Sequence, residues 1–208
     1  MIFIGIDFSI SSPAVCINDD NKFSYYSLYR PGKLTKKEVI GIDVLKEFKN
    51  LSLNINKPIV ESKNYQLRET NNLIEAEFLT DSIIEYIQNN IHNKKVKICI
   101  EGFSYGSISN RALELSGYNY LLRHKLLKNG YNFSIYSPKT IKAVAGNGNY
   151  NKEQIAESYL SIIDDDKLRI FLNDNKDTLY INRKFLKPID DLIDAYFASK
   201  TIQKYDNL

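Results

Sequence analysis

The sequence predicts an α/β fold in which a five-stranded mixed sheet is flanked by helices. Three short apolar segments separated by turn residues open the chain, which indicates three successive antiparallel strands. Two later apolar strands alternate with two amphipathic helices, and this spacing favours parallel pairing. With 208 residues, 43% of them apolar and 25% charged, the chain has the size and composition of one globular domain spanning residues 1–208.

The first predicted strand, residues 2–7, is apolar or glycine until it reaches an acid, Asp7. Such a pattern is typical of a strand that is buried on both faces and places a carboxylate at its carboxyl end. Residues 14–17 and 23–29 are predicted as the second and third strands. Because burying an ionised carboxylate costs several kcal/mol unless it is paired, Asp7 requires a partner from elsewhere in the chain.

The middle of the chain contains one segment of unclear pattern and one clear helix. Residues 33–68 form a polar, Lys- and Asn-rich insertion, in which the Thr35 to Glu38 capping-box spacing predicts a helix at 36–49. Residues 70–90 are predicted as a helix because apolar residues recur on one side of it. That predicted buried stripe consists of Leu73, Ala76, Leu79, Ile83 and Ile87.

The second half repeats the opening pattern and then becomes mainly helical. Residues 96–101 form a short apolar strand that again ends in an acid, Glu101. The elements predicted after it are a helix at 109–128, a strand at 131–136, a short helix from 138, a helix at 152–163 and a helix at 188–204. Residues 164–187 are predicted to be a charged, irregular insertion with a hairpin around 173–176.

Sequence features also indicate the compartment. No run approaches the roughly 18 apolar residues of a membrane span, and Met1 is followed by neither a basic flank nor a small-residue cleavage site. We therefore expect a cytoplasmic protein that is not exported. Cys16 and Cys99 lie in predicted strands without a neighbouring cysteine, so we expect buried, reduced thiols without a chemical role.

Positive charge is concentrated in one part of the chain. The net charge is only +3, but no acid occurs between Glu114 and Glu153. That interval contains the basic residues Arg123, Lys125, Lys128, Lys139 and Lys142, and several tyrosines. Cations neutralise phosphates and aromatic rings stack on bases, so the interval is a candidate nucleic-acid surface. A solvated surface without a ligand is the alternative.

The last predicted helix carries three acids on one side. Asp190, Asp191 and Asp194 fall within an arc of roughly 100°, separate from the apolar arc of the helix. Asp190 and Asp191 could simply favour the positive end of the helix after Pro188, but Asp194 lies too deep for that. If these acids meet Asp7 and Glu101, they repel one another unless a cation intervenes. Mg²⁺ suits carboxylate oxygens, and two such ions can stabilise both oxygens of a phosphodiester cleavage.

These motifs together resemble those of the RuvC-type Holliday-junction resolvases. The acidic motifs are Ile-Gly-Ile-Asp7-Phe-Ser, Ile-Cys-Ile-Glu101-Gly and Asp191-Leu-Ile-Asp194-Ala. The segment between them, Pro138-Lys-Thr-Ile-Lys142 followed by Gly146-Asn-Gly148-Asn-Tyr-Asn-Lys152, is similar to that family's P-x-x-[IV]-K and G-x-G-x-x-x-K motifs. The match spans most of the chain in the same order. It looks closest to the bacteriophage branch, since the Asn-, Lys- and Ile-rich composition suits an AT-rich genome.

The resemblance implies an RNase H-like fold, a homodimer and Mg²⁺-dependent cutting of four-way and other branched DNA. It implies two Mg²⁺ ions per site, which Mn²⁺ could replace. By motif, the catalytic metal ligands would be Asp7, Glu101, Asp191 and Asp194, and whether Asp190 also binds metal stays open. Lys142 and Lys152 would lie by the scissile phosphates, with Lys139 as a further DNA contact. The insertions 33–68 and 164–187 match no part of the family pattern.

The homodimer would use the helix predicted at 109–128. Its apolar residues Ala112, Leu115, Leu122 and Leu126 lie on one stripe, which could instead face the sheet of their own subunit. Leu113, Tyr120 and Leu121 fall outside that stripe and would be exposed in a monomer. A two-fold dimer carrying two sites would match a four-way junction, which requires two symmetric nicks.

Three other functions are compatible with parts of the sequence. Gly102-Phe-Ser104-Tyr-Gly106 has the form of a nucleophile elbow, but the only later histidine is His124, in the next helix. The residues from Asp7 through the following hairpin resemble the first phosphate motif of actin-like kinases, whose second phosphate loop and Gly-Gly motif are not seen. A non-catalytic DNA-binding protein, or one that makes a single nick, is the remaining alternative.

Overall fold

The computed structural model describes residues 1–56, 62–92, 94–103, 110–161, 164–181 and 183–205. Its central element is a six-stranded sheet. The strands are β1 (Ile2–Asp7), β2 (Ala14–Asp19), β3 (Lys22–Tyr29), β4 (Leu51–Ile55), β5 (Val96–Glu101) and β6 (Phe133–Tyr136). They are arranged in the order β4-β3-β2-β1-β5-β6, which places the two acid-ending strands, β1 and β5, side by side.

The strand pairing confirms the predicted mixed sheet and extends it by one strand. β1, β2 and β3 pair antiparallel, whereas β1 with β5 and β5 with β6 pair parallel. The sixth strand, β4, was not predicted. It lies within the 33–68 insertion and pairs parallel with β3, with Tyr25 opposite Leu51. The insertion therefore widens the sheet at the edge distant from β6.

Eight helices are seen in the described residues. They are α1 (Lys36–Leu45), α2 (Tyr65–Ile91), α3 (Asn110–Lys128), α4 (Pro138–Val144), α5 (Lys152–Ser161), α6 (Asp166–Asp174), α7 (Lys176–Leu179) and α8 (Ile189–Tyr205). The predicted capping box of Thr35 and Glu38 starts α1. α2 begins five residues earlier than predicted because the Asn64 side chain accepts a hydrogen bond from the backbone N–H of Leu67 at 3.0 Å.

Each face of the sheet is covered by its own helices. Along β1, Ile2, Ile4 and Ile6 face a core completed by α2 and α3, in which Leu79, Ile83 and Leu122 are fully buried. Phe3 faces the opposite core, which is completed chiefly by α8 and α5. This alternation is the period-2 pattern of a strand between two layers. The chain thus forms a three-layer arrangement with the sheet in the middle.

One residue of the predicted α2 stripe is not buried. Ala76, Leu79, Ile83 and Ile87 face the core as predicted, but Leu73 is 65% exposed. The buried position near this end of the helix belongs instead to Glu75, whose carboxylate pairs with Arg30 and accepts a hydrogen bond from Tyr118. An internal ion pair thus replaces the apolar contact that the periodicity predicted.

Residues 164–187 were predicted to be irregular with a hairpin around 173–176, and this prediction was wrong, because the segment is mainly helical and its hairpin lies later. Residues 173–176 join α6 to α7, and the hairpin lies later, formed by β7 (Tyr180–Ile181) and β8 (Lys184–Phe185). α6 forms because Leu168 and Leu172 are buried in the core and Asp165 caps its first turn. Asp165 also accepts hydrogen bonds from the buried hydroxyl groups of Tyr25 and Tyr159.

Two smaller predictions concern cysteines and membranes. Cys16 and Cys99 are buried, reduced thiols, as predicted. Burial raises the pKa of the Cys16 thiol above its usual range, which disfavours the reactive thiolate. Within the part of the chain that the structure describes, no helix is sufficiently long and apolar to cross a membrane.

Candidate active site

The packing of α8 on β1 brings the first carboxylates together. A Cβ atom on Gly5 would lie 2.0 Å from the Ala195 carbonyl oxygen and 2.3 Å from the Ser199 amide nitrogen, so only glycine permits this approach. Because side chains alternate along a strand, Asp7 projects to the same face as Gly5. Asp191 lies one helical turn before Ala195, and the α8 acids are therefore placed beside Asp7.

Glu101 reaches the same place from the neighbouring strand. β1 and β5 run parallel with Ile6 opposite Ile100, so both strands end at one edge of the sheet. Asp7, Glu101, Asp191 and Asp194 all line a single cleft of about 650 Å³. Lys142 from α4 and Lys152 from α5 also line it. The structure thus gathers four of the predicted carboxylates and two of the predicted lysines into one cleft.

Burial and mutual repulsion make these carboxylates hard to ionise. Burial raises the pKa of Asp7 well above its usual range, and the charges of Asp191, Glu101 and Asp194 raise it further. Burial, together with the charge of Glu101, raises the pKa of Asp194 to about 7. Burial and the charge of Asp190 raise the pKa of Asp191 to about 6. The cleft therefore concentrates negative charge that a cation would stabilise.

Lysines offset part of this charge. Burial raises the pKa of Glu101, while the positive charges of Lys142 and Lys152 oppose that rise. Lys152 forms an ion pair with Asp190, the acid whose metal-binding role the sequence left open. Lys139 is exposed, with its aliphatic chain close to Gly148. Among the described residues that line the cleft, Lys142 and Lys152 are present and Lys139 is not.

Asp191 has two partners that the sequence did not predict. Ser12 donates a hydrogen bond to Asp191 Oδ2, and Lys187 Nζ lies 3.1 Å from each of the two carboxylate oxygens. Both partners were missed because neither belongs to an acidic motif: Ser12 lies in the turn after Asp7, and Lys187 is the last residue of the 164–187 insertion. The lysine one helical turn before Asp191 was the one available signal.

The loop that carries Ser12 is itself fixed by buried side chains. Arg30 and Asn56 each donate a hydrogen bond, at 3.1 Å, to the carbonyl oxygen of Ile10. Arg30 is held in turn by its ion pair with Glu75. Asn56 follows β4, so the 33–68 insertion contributes directly to the support of this loop. A polar network thus extends from α2 to Asp191.

The chemical nature of the ligand atoms, rather than the distances between them in this structure, indicates a metal site. Within the described ranges, no three His, Cys, Asp or Glu side chains are grouped so that they could hold a metal ion. The available donors are carboxylate oxygens, which are the ligands that Mg²⁺ and Mn²⁺ prefer. The chemistry of Asp7, Glu101, Asp191 and Asp194 therefore fits a hard divalent cation.

The competing nucleophile-elbow interpretation finds no support in the described geometry. Ser104 and the residues through 109 lie outside the described residues. Gly102, which precedes them, donates its backbone N–H to the Tyr136 carbonyl oxygen at 2.8 Å, so this glycine extends the ladder between β5 and β6. His124, the only later histidine, is exposed on α3.

Comparison with known proteins identifies the fold. No family model matches the sequence, and no curated protein matches it either. Among solved structures, Thermus thermophilus RuvC superposes with a TM-score of 0.52 at 15% identity, covering 100% of this chain and 96% of that one. The same protein in complex with a Holliday junction substrate superposes with a TM-score of 0.55 at 12% identity, covering 100% and 95%. The predicted RNase H-like fold is confirmed as that of RuvC.

Proposed function

We propose that this chain is a metal-dependent endonuclease that resolves four-way DNA junctions in the cytoplasm. The observation that supports this most strongly is the convergence of Asp7, Glu101, Asp191 and Asp194 in one cleft of a RuvC fold. The Asn-, Lys- and Ile-rich composition is the support for a bacteriophage origin. The proposed reaction is hydrolysis of a phosphodiester bond.

The four carboxylates would hold two Mg²⁺ ions, which Mn²⁺ could replace. When bound, such ions supply a water molecule of lowered pKa and stabilise charge on the leaving oxygen. The chain's own contribution is to present carboxylates from rigid elements, two from strand ends and two from α8. Lys142 and Lys152 line the same cleft and would neutralise the phosphates on either side of the scissile bond.

A homodimer is part of this proposal, and α3 provides its surface. Leu113, Tyr120 and Leu127 are 69%, 62% and 58% exposed. Leu121, which was also expected to be exposed, is partly buried and packs against the core between the sheet, α2 and α3. The three exposed residues are spaced by seven residues, so they form one stripe on the side of α3 opposite the buried Leu122. An exposed apolar stripe of this kind favours a second helix, and a two-fold dimer would place two clefts on one junction.

The α3 stripe reaches the cleft directly at Leu113, which lines it, and is linked to it a second time through one arginine. The Arg123 guanidinium carbon lies 5.0 Å from the centre of the Tyr120 ring and 5.4 Å from that of Phe103. Phe103 lines the cleft, whereas Tyr120 belongs to the exposed stripe. The proposed dimer surface therefore borders the cleft wall.

Separating DNA binding from cleavage tests the proposal. Asp7→Asn is expected to lower junction cleavage at least about 100-fold while junction affinity changes little, because it removes a metal ligand rather than a DNA contact. Asp43→Asn is the matched control, since that acid is exposed on α1 and pairs with Lys46. Gel-shift and nicking assays on one junction give both quantities. If wild type binds the junction but never cuts it, the chain is a non-catalytic DNA-binding protein.

A further inference from the structure

Lys187 places an ammonium group against one of the candidate metal ligands. Its Nζ lies 3.1 Å from both carboxylate oxygens of Asp191 and 3.5 Å from Ser12 Oγ. The Asp191 side chain is 5% exposed, whereas that of Lys187 is 47% exposed. The ammonium thus covers the carboxylate from the solvent side, and the Ser12 hydroxyl holds it from within.

This position is one that a metal ion would also need. An ammonium that bonds both oxygens of a carboxylate occupies the same side of that group as a divalent cation would. Two cations on one carboxylate repel each other strongly in a buried cleft. Asp191 can therefore bind Lys187 or a metal ion through those lone pairs, but binding both is disfavoured.

The charge balance of the cleft also favours competition between Lys187 and a metal ion. The described groups that interact there are five carboxylates, Asp190 included, and the ammonium groups of Lys142, Lys152 and Lys187. When all five carboxylates are ionised, as metal binding requires, the five negative and three positive charges leave an excess of two negative charges, which a single divalent ion neutralises. Without the Lys187 charge the excess would be three, which favours a second ion.

We propose that Lys187 is a built-in counter-ion that competes with a divalent metal ion for Asp191. This inference rests on the proposed function and makes it more specific. In the DNA-free protein, Lys187 holds Asp191 and the cleft binds one divalent ion. When DNA phosphate enters, the exposed lysine chain transfers to the phosphate and frees Asp191 for a second ion. Lys187 is accordingly a positioning residue that couples ion uptake to substrate binding.

Mn²⁺ binding to the DNA-free protein, followed by calorimetry or by the loss of free-ion EPR signal, tests this inference. Wild type is expected to bind one ion. Lys187→Gln is expected to bind two, or to bind its ions at least about tenfold more tightly, because a neighbouring positive charge is removed. Lys187→Arg keeps the charge and should behave as wild type does. Lys46→Gln, at the exposed residue just after α1, is the control for loss of a lysine outside the cleft.

A double variant, Lys187→Gln with Asp191→Asn, locates the effect, because it should lose the additional Mn²⁺ binding. Unchanged Mn²⁺ stoichiometry and affinity in Lys187→Gln, while wild type still cuts junctions with Mg²⁺, would overturn the counter-ion role and leave the proposed function intact. If neither protein binds Mn²⁺ and neither cuts a junction, both the inference and the proposed function fail.

Discussion

Gly5 lies directly against the main chain at Ala195, so closely that a Cβ atom on it would be 2.0 Å from the Ala195 carbonyl oxygen. This contact between β1 and α8 has no space for a side chain. It also sets the position of the cleft, because Asp7 follows Gly5 on the same face of the strand and Asp191 and Asp194 lie within one helical turn of Ala195. The glycine is therefore a structural requirement of the carboxylate cluster.

Gly5→Ala is expected to destabilise the protein by about 1–3 kcal/mol or more, because the added methyl group meets backbone atoms that cannot rotate away. The thermal midpoint should fall by at least about 3 °C for a chain of this size. Gly32→Ala is the control, since a Cβ atom there would have no neighbour within 4 Å. Equal thermal midpoints for the two variants would contradict the close packing of α8 on β1.

The raised carboxylate pKa values predict how metal-free stability changes with pH. The pKa of Asp194 is about 7 in the folded protein, above its ordinary value, so the folded state binds this proton more tightly than the unfolded state does. The resulting stabilisation is complete below about pH 4 and is lost as the pH rises through about 7. The free energy of unfolding should therefore fall across this window when a chelator is present.

Asp194→Asn should remove part of that pH dependence and stabilise the metal-free protein at pH 8 by about 1–3 kcal/mol. Urea unfolding at several pH values measures both effects. Asp43→Asn removes an exposed acid and should leave the slope with pH unchanged. If the free energy of unfolding of Asp194→Asn falls with pH as steeply as that of wild type, repulsion in the cleft does not act on the Asp194 carboxylate.

Lys142→Ala should weaken binding to all DNA sequences alike. If Lys142 neutralises one phosphate, the slope of log affinity against log salt concentration should become shallower by about one unit. Lys152→Ala should act similarly, although it also leaves Asp190 without its lysine. Lys46→Ala serves as the control outside the cleft. A change in sequence preference instead would mean that these lysines contact bases.

The dimer prediction concerns the exposed stripe of α3. Replacing both Tyr120 and Leu127 by lysine should convert a dimer at micromolar concentration into a monomer, because like charges would be buried across a two-fold contact. Ile40→Lys changes an equally exposed apolar residue of α1 and should leave the assembly state unchanged. Sedimentation velocity distinguishes the two states. A wild-type monomer that still cuts branched DNA would favour a single-nick endonuclease.

Local patterns were sufficient to predict the parts of the fold that position the site. β1 is a continuous run of apolar residues and glycine that ends in Asp7, and β5 is apolar except for Lys97 until it ends in Glu101, and burial between two layers enforces that pattern. The capping residues Thr35 and Ser137 mark helix starts because their side chains bond nearby backbone N–H groups. Such signals operate within a few residues, so a single sequence contains them.

The features that were missed either have a weak local signal or depend on contacts between distant segments. The hairpin of β7 and β8 has only two residues per strand, which is too short for a periodic signal. β4 does alternate, as Leu-Ser-Leu-Asn-Ile, but only five residues within a polar insertion carry the pattern, and it was overlooked. Lys187 lies only four residues before Asp191, within reach of a local pattern, whereas Ser12 lies 179 positions from Asp191. Only the packed structure brings Ser12 and Asp191 together.

Cleavage of an end-labelled four-way junction with Mg²⁺ tests the central claim most directly. The account predicts two nicks at symmetry-related positions, little cutting of linear duplex with the same sequence, cleavage with Mn²⁺, and no cleavage in excess chelator or with Asp7→Asn. Ca²⁺ should permit binding without turnover, because its coordination is longer and looser. Undiminished cutting in excess chelator, or equal cutting by the wild-type and Asp7→Asn proteins, would contradict it.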